Sequence, residues 1–142
     1  MNKMMKRWFI LLIASGLTLI ACQPVRSTSS AASSTNAQAA YKTITVADLQ
    51  EMLKQKDFLL VNVHIPFEGN LPGTDLSIPY NEIDKHLDQL PDKNSKIVLY
   101  CLSGGMSATA ADVLSGLGYT NIYDLKGGML AWEAAGFKLA DQ

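Results

Sequence analysis

The sequence predicts an α/β fold, in which a parallel sheet of about five strands carries helices on both faces. Two observations support this fold class. Short apolar runs alternate with segments of helical periodicity, and two of these runs are apolar almost throughout, as in strands that are covered on both faces. Such alternation favours parallel strands joined by right-handed crossovers. A chain of 142 residues has room for one domain of ordinary size.

Each element has its own local signal, and together they define a predicted domain over residues 41–142. Apolar runs predict strands over residues 41–45, 58–63, 97–100 and 121–125. Helical spacing and helix-end signals predict four helices: one that begins at Thr45 and stops near residues 56–57, one capped by Asn81 and ended by Pro91, one after Cys101 that ends at Gly118, and one that carries Met129, Leu130 and Trp132 and stops at Gly136. The proline- and glycine-rich connection from His64 to Pro79 should contain no helix.

The N-terminus predicts export. A basic start precedes an apolar run over residues 8–21 that is too short for a comfortable membrane span. The run ends in Leu19-Ile20-Ala21-Cys22, which resembles the bacterial lipoprotein signal and implies lipidation of Cys22, with palmitate among the expected acyl groups. Residues 1–21 are interpreted as a lipoprotein-type signal peptide and residues 22–40 as a flexible Ser/Thr/Ala-rich tether. An ordinary signal peptide or a short uncleaved anchor is the alternative.

Charge and cysteine content exclude several classes of function. Without the signal peptide, nine basic residues face thirteen acidic ones, a formal net charge of −4, so nucleic-acid binding is not expected. The two cysteines, Cys22 and Cys101, and two distant histidines show no spacing typical of a metal site. We expect a monomer without metal or organic cofactor, held at a membrane through Cys22 and facing the periplasm or the cell exterior.

Cys101 is the predicted nucleophile. It follows a buried strand and begins a glycine-rich loop that leads into a helix, so backbone N–H groups and the helix dipole should stabilise negative charge on its sulfur. Gly104 and Gly105 are expected to permit the turns that aim those N–H groups inward. Ser103 and Ser107 are expected to donate hydrogen bonds, and Ser107 also fits a helix N-cap. A buried structural cysteine is the alternative for Cys101.

His64 is a second candidate, because it stands at the end of the strand over residues 58–63. The ligand sites of such sheets lie outside the carboxyl ends of strands, where Cys101 also stands. His64 would act as a general base, although lone histidines more often pack or lie at the surface. Glu68 is expected to hold His64 or a backbone turn rather than to be catalytic.

The chain resembles a single-domain rhodanese, a sulfurtransferase with a three-layer α/β fold. Two motifs carry most of the resemblance: Tyr100-Cys101-x-Ser103-Gly104-x-x-Ser107, and Leu125-Lys126-Gly127-Gly128-Met129-x-Ala131-Trp132. The resemblance implies that Cys101 takes a sulfane sulfur from a small donor as a persulfide and passes it to a thiol or protein acceptor. It also implies that the loop stabilises that persulfide, with these residues in the substrate-binding set: Leu102, Ser103, Gly104, Gly105, Met106 and Ser107.

The sequence departs from the family where charge is usual. Asn62 replaces the usual acid, His64 the usual arginine, and Met106 an arginine found in many members, so handling of dianionic thiosulfate is in doubt. Phosphatase or arsenate-reductase chemistry is disfavoured, because such loops place an arginine where this chain has Ser107. A non-catalytic rhodanese-like binding module and a thiol redox sensor at the cell envelope remain the alternatives.

Overall fold

The computed structural model describes residues 41–140, and the signal peptide, the tether and Cys22 predicted above lie outside this range. Its five strands are β1 (Lys42–Ile44), β2 (Leu59–Asn62), β3 (Leu76–Ser77), β4 (Ile97–Tyr100) and β5 (Ile122–Leu125). Its α-helices are α1 (Val46–Lys54), α2 (Gly105–Gly116) and α3 (Gly128–Ala134). The strands form one sheet in the order β1-β5-β4-β2-β3, and every pairing is parallel. The predicted α/β fold class is confirmed.

The sheet separates two apolar clusters, because successive side chains of a strand point to opposite faces. In β4, Ile97 and Leu99 pack with α2, whereas Val98 and Tyr100 pack with α1 and α3. All four residues of this strand are buried, which explains why its sequence is an unbroken apolar run. Cys101 continues the alternation and belongs to the cluster beneath α2.

Helix α1 begins where the sequence predicted. The Thr45 side chain accepts a hydrogen bond from the Asp48 N–H, and the Asp48 carboxylate accepts one from the Thr45 N–H, which together make a capping box. The helix ends at Lys54, slightly earlier than expected, and buries Leu49 against the sheet.

The region between residues 76 and 90 differs from the prediction in two ways. Strand β3 was missed, because two residues within a proline-rich connection are too few to show a period. The helix expected after Asn81 is instead two 3₁₀ turns, Ile83–Lys85 and Leu87–Gln89, and neither turn has a side-chain cap. Pro91 accounts for part of this difference, because the residue before a proline avoids helical backbone, and Leu90 is extended.

Helix α3 follows the predicted turn, but only two of the three apolar residues named for it are buried. Met129 and Trp132 are buried, and the Trp132 ring N–H donates to the Lys138 carbonyl at 2.9 Å. Leu130 is instead 52% exposed, because it lies on the side of the short helix that faces away from the sheet. Within residues 41–140, no helix has both the length and the apolar character that a membrane crossing requires.

Candidate active site

The site is built where β4 ends. Parallel strands place their carboxyl ends at one edge of the sheet, and β4 lies between β2 and β5, so Cys101 emerges at the middle of that edge. Leu102, Ser103 and Gly104 turn the chain through a tight loop, and α2 begins at Gly105. We call Cys101–Ser107 the cysteine segment.

The Cys101 sulfur receives its hydrogen bonds from this segment. The Gly104 N–H donates to Sγ at an N–S distance of 3.0 Å, and the Ser107 hydroxyl lies 3.6 Å from Sγ. The same hydroxyl lies 3.2 Å from the Gly104 carbonyl oxygen. Because a serine hydroxyl has one proton, Ser107 can donate to only one of these acceptors at a time.

These contacts favour the thiolate. Burial raises the pKa of the Cys101 thiol, since the side chain is only 1% exposed. Hydrogen bonds from the Ser107 hydroxyl and from the backbone N–H groups of Ser107, Gly104 and Ser103 outweigh burial and hold that pKa below its ordinary value. A cysteine of this kind is activated for nucleophilic attack.

Ser107 does not have the helix N-cap role that its sequence position also fitted. Its position as the third residue of α2 excludes it as the helix N-cap, which is Gly104. Gly104 adopts φ of 105°, a left-handed conformation that side chains other than glycine rarely adopt. Gly105 has no positive φ and has open space where a Cβ would be, so the turn requires glycine at only one of these two positions.

The turn before α3 supports the cysteine segment from behind. The Met129 N–H donates to the Cys101 carbonyl at 2.9 Å, and the Leu130 N–H donates to the Leu102 carbonyl at 3.0 Å. A Cβ on Gly128 would lie 2.0 Å from the Cys101 carbonyl oxygen, so only glycine allows this approach. The second sequence motif therefore has a physical role, because it lets one backbone pack against another beneath Cys101.

The mouth of the site is weakly polar and uncharged. Ser103 and Gly105 are exposed, and Leu102 and Met106 are partly buried against the two apolar clusters. The cysteine segment carries no charged side chain, and residues 41–140 contain no arginine. Negative charge on a substrate would therefore meet backbone N–H groups of the loop and of the first turn of α2.

His64 lies near this edge, but its hydrogen bonds go elsewhere. Its Nε2 lies 2.9 Å from a Glu68 carboxylate oxygen, which agrees with the role expected for Glu68. The backbone N–H of His64 donates to the Asn62 side-chain oxygen at 2.9 Å. Its Nδ1 is buried and has no hydrogen-bond partner among the described residues. No hydrogen bond joins His64 to Cys101 within residues 41–140, so the structure gives no direct support for His64 as the base.

A second segment leaves the same edge of the sheet. The connection between β2 and β3, residues 63–75, is held by side-chain hydrogen bonds in addition to its backbone ones. The Tyr100 hydroxyl receives the Leu71 N–H at 3.0 Å and lies 2.7 Å from the Thr74 hydroxyl and 3.2 Å from the Asn70 side-chain oxygen. The Asn62 amide donates to the Gly69 carbonyl at 2.8 Å. A carboxylate at position 62 could not make this last bond, so the asparagine has a structural role.

Asp124 is not among the site residues predicted from the sequence. It lies in β5 opposite Leu99, is only 6% exposed, and its Oδ1 has no hydrogen-bond partner among the described residues. Burial raises the pKa of Asp124, and the Ser107 hydroxyl acts in the opposite direction. An acid inside an otherwise apolar strand was the signal available in the sequence.

The described residues contain no cluster of three or more histidine, cysteine or acidic side chains that could hold a metal ion. Cys101 is a free thiol in this part of the chain. The arrangement can therefore be described as a single activated thiol in a loop of backbone donors.

Comparison with known proteins identifies the family. Residues 42–135 match the family model of the rhodanese-like domain. A thiosulfate sulfurtransferase GlpE from Pseudoalteromonas translucida is 30% identical over 103 residues, which cover 68% of this chain and 92% of that protein. A sulfurtransferase from Allochromatium vinosum is 32% identical over 93 residues, which cover 63% and 85%.

The fold comparison agrees. The crystal structure of a rhodanese-related protein from Thermoplasma volcanium superimposes with a TM-score of 0.61 at 31% sequence identity, covering 70% of this chain and 98% of that one. The family-model match covers the sheet, the cysteine segment and the turn before α3, since it runs from β1 to the end of α3. The chain therefore belongs to the rhodanese-like domain family.

Proposed function

We propose that this protein is a sulfurtransferase that carries a sulfane sulfur on Cys101. The observation that carries the proposal is the Gly104 N–H donating to the Cys101 sulfur at 3.0 Å, at the start of α2. This geometry favours the thiolate, which is the nucleophile, and the same N–H groups can serve the terminal sulfur of a persulfide. The sulfurtransferase names of relatives that are about 30% identical support the same class.

The proposed reaction has two displacements. In the first, the Cys101 thiolate attacks the outer sulfur of a donor, the donor's S–S bond breaks, and the leaving group departs as an anion. Cys101 then carries a persulfide anion. In the second, an acceptor thiolate attacks the outer sulfur, takes it as its own persulfide and restores the Cys101 thiolate. One thiol thus divides the transfer into two steps and needs no net oxidant or reductant.

Mass spectrometry tests this chemistry directly. Incubation of the purified chain with a sulfur donor should add the mass of one sulfur atom, and Cys101→Ser should abolish the gain. The matched control is Cys22→Ser, which keeps Cys101 and should still gain sulfur. A correctly folded protein that gains no sulfur from thiosulfate, polysulfide or an organic persulfide would refute the enzyme and favour a binding module or a redox sensor.

We further propose that the donor carries little charge. The cysteine segment offers backbone donors and no cationic side chain, so an organic persulfide, whose S–S group carries at most one negative charge, should load Cys101 faster than the dianion thiosulfate. Met106→Arg should raise the rate with thiosulfate, because it adds a cation next to the first turn of α2. Met106→Gln, a neutral change at the same position, is the control. Equal thiosulfate rates for both variants would contradict the argument.

Export and lipidation of Cys22 are proposed on the N-terminal sequence alone. The lipoprotein-type signal would place the domain at a membrane surface, on the periplasmic or outer side. Cys22→Ser should move the protein from the membrane to the soluble fraction or block its maturation, whereas Cys101→Ser should leave fractionation unchanged. Unaltered membrane association of Cys22→Ser would refute the lipid anchor.

A further inference from the structure

The buried carboxyl group of Asp124 is not used by the proposed chemistry, yet it lies on the same face of the sheet as Cys101. Its Oδ1 is buried without a hydrogen-bond partner among the described residues, which is costly for a carboxyl group. The Ser107 hydroxyl, which lowers the pKa of Asp124 against the effect of burial, lies 3.6 Å from the Cys101 sulfur.

The sheet explains this alignment. Asp124 in β5 is level with Leu99 in β4, two residues before Cys101, and both strands lie under α2. Side chains at matching positions of neighbouring strands point to the same face, so Asp124 and Cys101 both lie on the α2 side of the sheet. Ser107, in the first turn of α2 and fully buried, lies above them.

We propose that Asp124 is a positioning residue that competes with the Cys101 sulfur for the hydroxyl proton of Ser107. Ser107 has one proton to donate, and an ionised carboxylate is a stronger acceptor than a carbonyl oxygen. When Ser107 donates to Asp124, the thiolate loses one of its donors and also faces a buried negative charge. When Asp124 is neutral, Ser107 is free to donate to the sulfur.

Other ionisable groups near Asp124 are few. Tyr41, just before β1, has a raised pKa because of burial and the charges of Asp112 and Asp124. Asp112 lies on α2 and is exposed. No lysine or histidine hydrogen-bonds Asp124 or Ser107 within residues 41–140, so no cation offsets the carboxylate there.

The test is the pH dependence of alkylation of Cys101 by iodoacetamide in the full chain. The Cys101-containing peptide is followed by mass spectrometry, so Cys22 does not contribute. Asp124→Asn keeps the shape, removes the charge and lets the amide donate to Ser107. We expect the alkylation midpoint to fall by about half a pH unit to one unit, from the strength of a charged hydrogen bond. Asp124→Ser carries the same expectation if the asparagine variant does not fold.

Two controls separate this role from a general charge effect. Asp112→Asn removes a nearby charge that does not contact Ser107, and should leave the midpoint unchanged. In a Ser107→Ala background, Asp124→Asn should lose most of its effect, because the shared hydroxyl is gone. No shift in Asp124→Asn, or an equal shift with and without Ser107, would overturn the proposal.

The inference rests on Cys101 being the reactive thiol of the proposed function, but the two can fail separately. Alkylation reports the ionisation of Cys101 whether or not sulfur is transferred. A protein that never gains sulfur yet shows the Asp124 shift would refute sulfur transfer and support the positioning role. A protein that gains sulfur but shows no Asp124 shift would support sulfur transfer and refute the positioning role.

Discussion

Two segments leave the same edge of the sheet from neighbouring strands, and among the described residues side chains from outside the segment help to hold only one of them. Backbone groups hold the cysteine segment: the Gly104 N–H binds the sulfur, and the turn before α3 binds its carbonyls. The Tyr100 and Asn62 side chains help to hold the connection over residues 63–75, which also makes backbone hydrogen bonds at both of its ends and at Asn70. The difference indicates that the position of Cys101 depends on main-chain geometry, whereas the neighbouring connection depends also on the identity of particular polar side chains.

The largest effect, a loss of stability, should come from Gly128→Ala, which disrupts the backbone contacts that support the cysteine segment. The new Cβ would lie 2.0 Å from the Cys101 carbonyl oxygen and 2.8 Å from Leu102 backbone atoms, and φ is already 53°. Backbone cannot move aside as a flexible side chain can, so the free energy of unfolding should fall by about 3 kcal/mol or more. Urea denaturation measures the loss.

Gly105→Ala is the matched control for this substitution, because its Cβ would meet nothing within 4 Å. Its stability should stay within about 0.5 kcal/mol of the parent. If both substitutions were equally harmless, the close approach between the two backbones would not be needed.

Tyr100→Phe should destabilise the connection over residues 63–75 without disturbing the nucleophile. The change removes a hydroxyl that meets three polar groups, and leaves the buried Leu71 N–H without its partner, at a cost of about 1–3 kcal/mol. Hydrogen exchange should rise in residues 63–75, while the alkylation rate of Cys101 stays within about twofold, a change of under 0.5 kcal/mol.

Tyr123→Phe provides the comparison for that variant, because the Tyr123 hydroxyl makes no hydrogen bond among the described residues. It should leave both stability and exchange nearly unchanged. A large loss of Cys101 reactivity in Tyr100→Phe would show that the two segments are not independent.

pH should affect the cysteine segment in a defined direction. The folded protein holds the pKa of Cys101 below the ordinary thiol value of 9.0, so the thiolate form of Cys101 is more favourable in the folded protein than in the unfolded chain. This stabilisation is complete above the unfolded pKa and is lost as the pH falls through the folded pKa. The stability of the parent relative to Cys101→Ser should therefore rise with pH in that window.

Urea denaturation of both proteins under reducing conditions, from about pH 6 to about pH 10, measures that difference. Reduction keeps the thiol from oxidising during the titration. A difference that is flat or falls with increasing pH would mean that the hydrogen bonds to the sulfur do not favour the thiolate.

The smallest effect should come from Ser103→Ala. The Ser103 side chain is exposed and makes no hydrogen bond among the described residues, while its N–H, which alanine retains, favours the thiolate. The alkylation midpoint should move by less than about 0.3 pH unit, whereas Ser107→Ala should raise it clearly. Equal shifts in the two variants would contradict the assignment of the hydroxyl donor to Ser107 alone.

Much of the fold followed from local sequence signals. The apolar run of β4, the Thr45–Asp48 capping box and the glycine turn before α3 are short-range patterns, and each corresponds to an observed element. The two-residue strand β3 and the 3₁₀ turns after Asn81 could not be predicted in the same way. A strand of two residues forms because β2 offers it a partner, and that partner is distant in sequence.

The sequence by itself determined where Cys101 stands, its glycine loop and the absence of arginine beside it, because these are properties of consecutive residues. Only the tertiary structure decided what surrounds them. It determined that His64 hydrogen-bonds Glu68 and Asn62, that Gly104 rather than Ser107 is the helix cap, and that Asp124 lies on the same face of the sheet as Cys101. Those relations join residues on different strands and helices, and the pairing of the sheet rather than the local pattern sets which side chains meet.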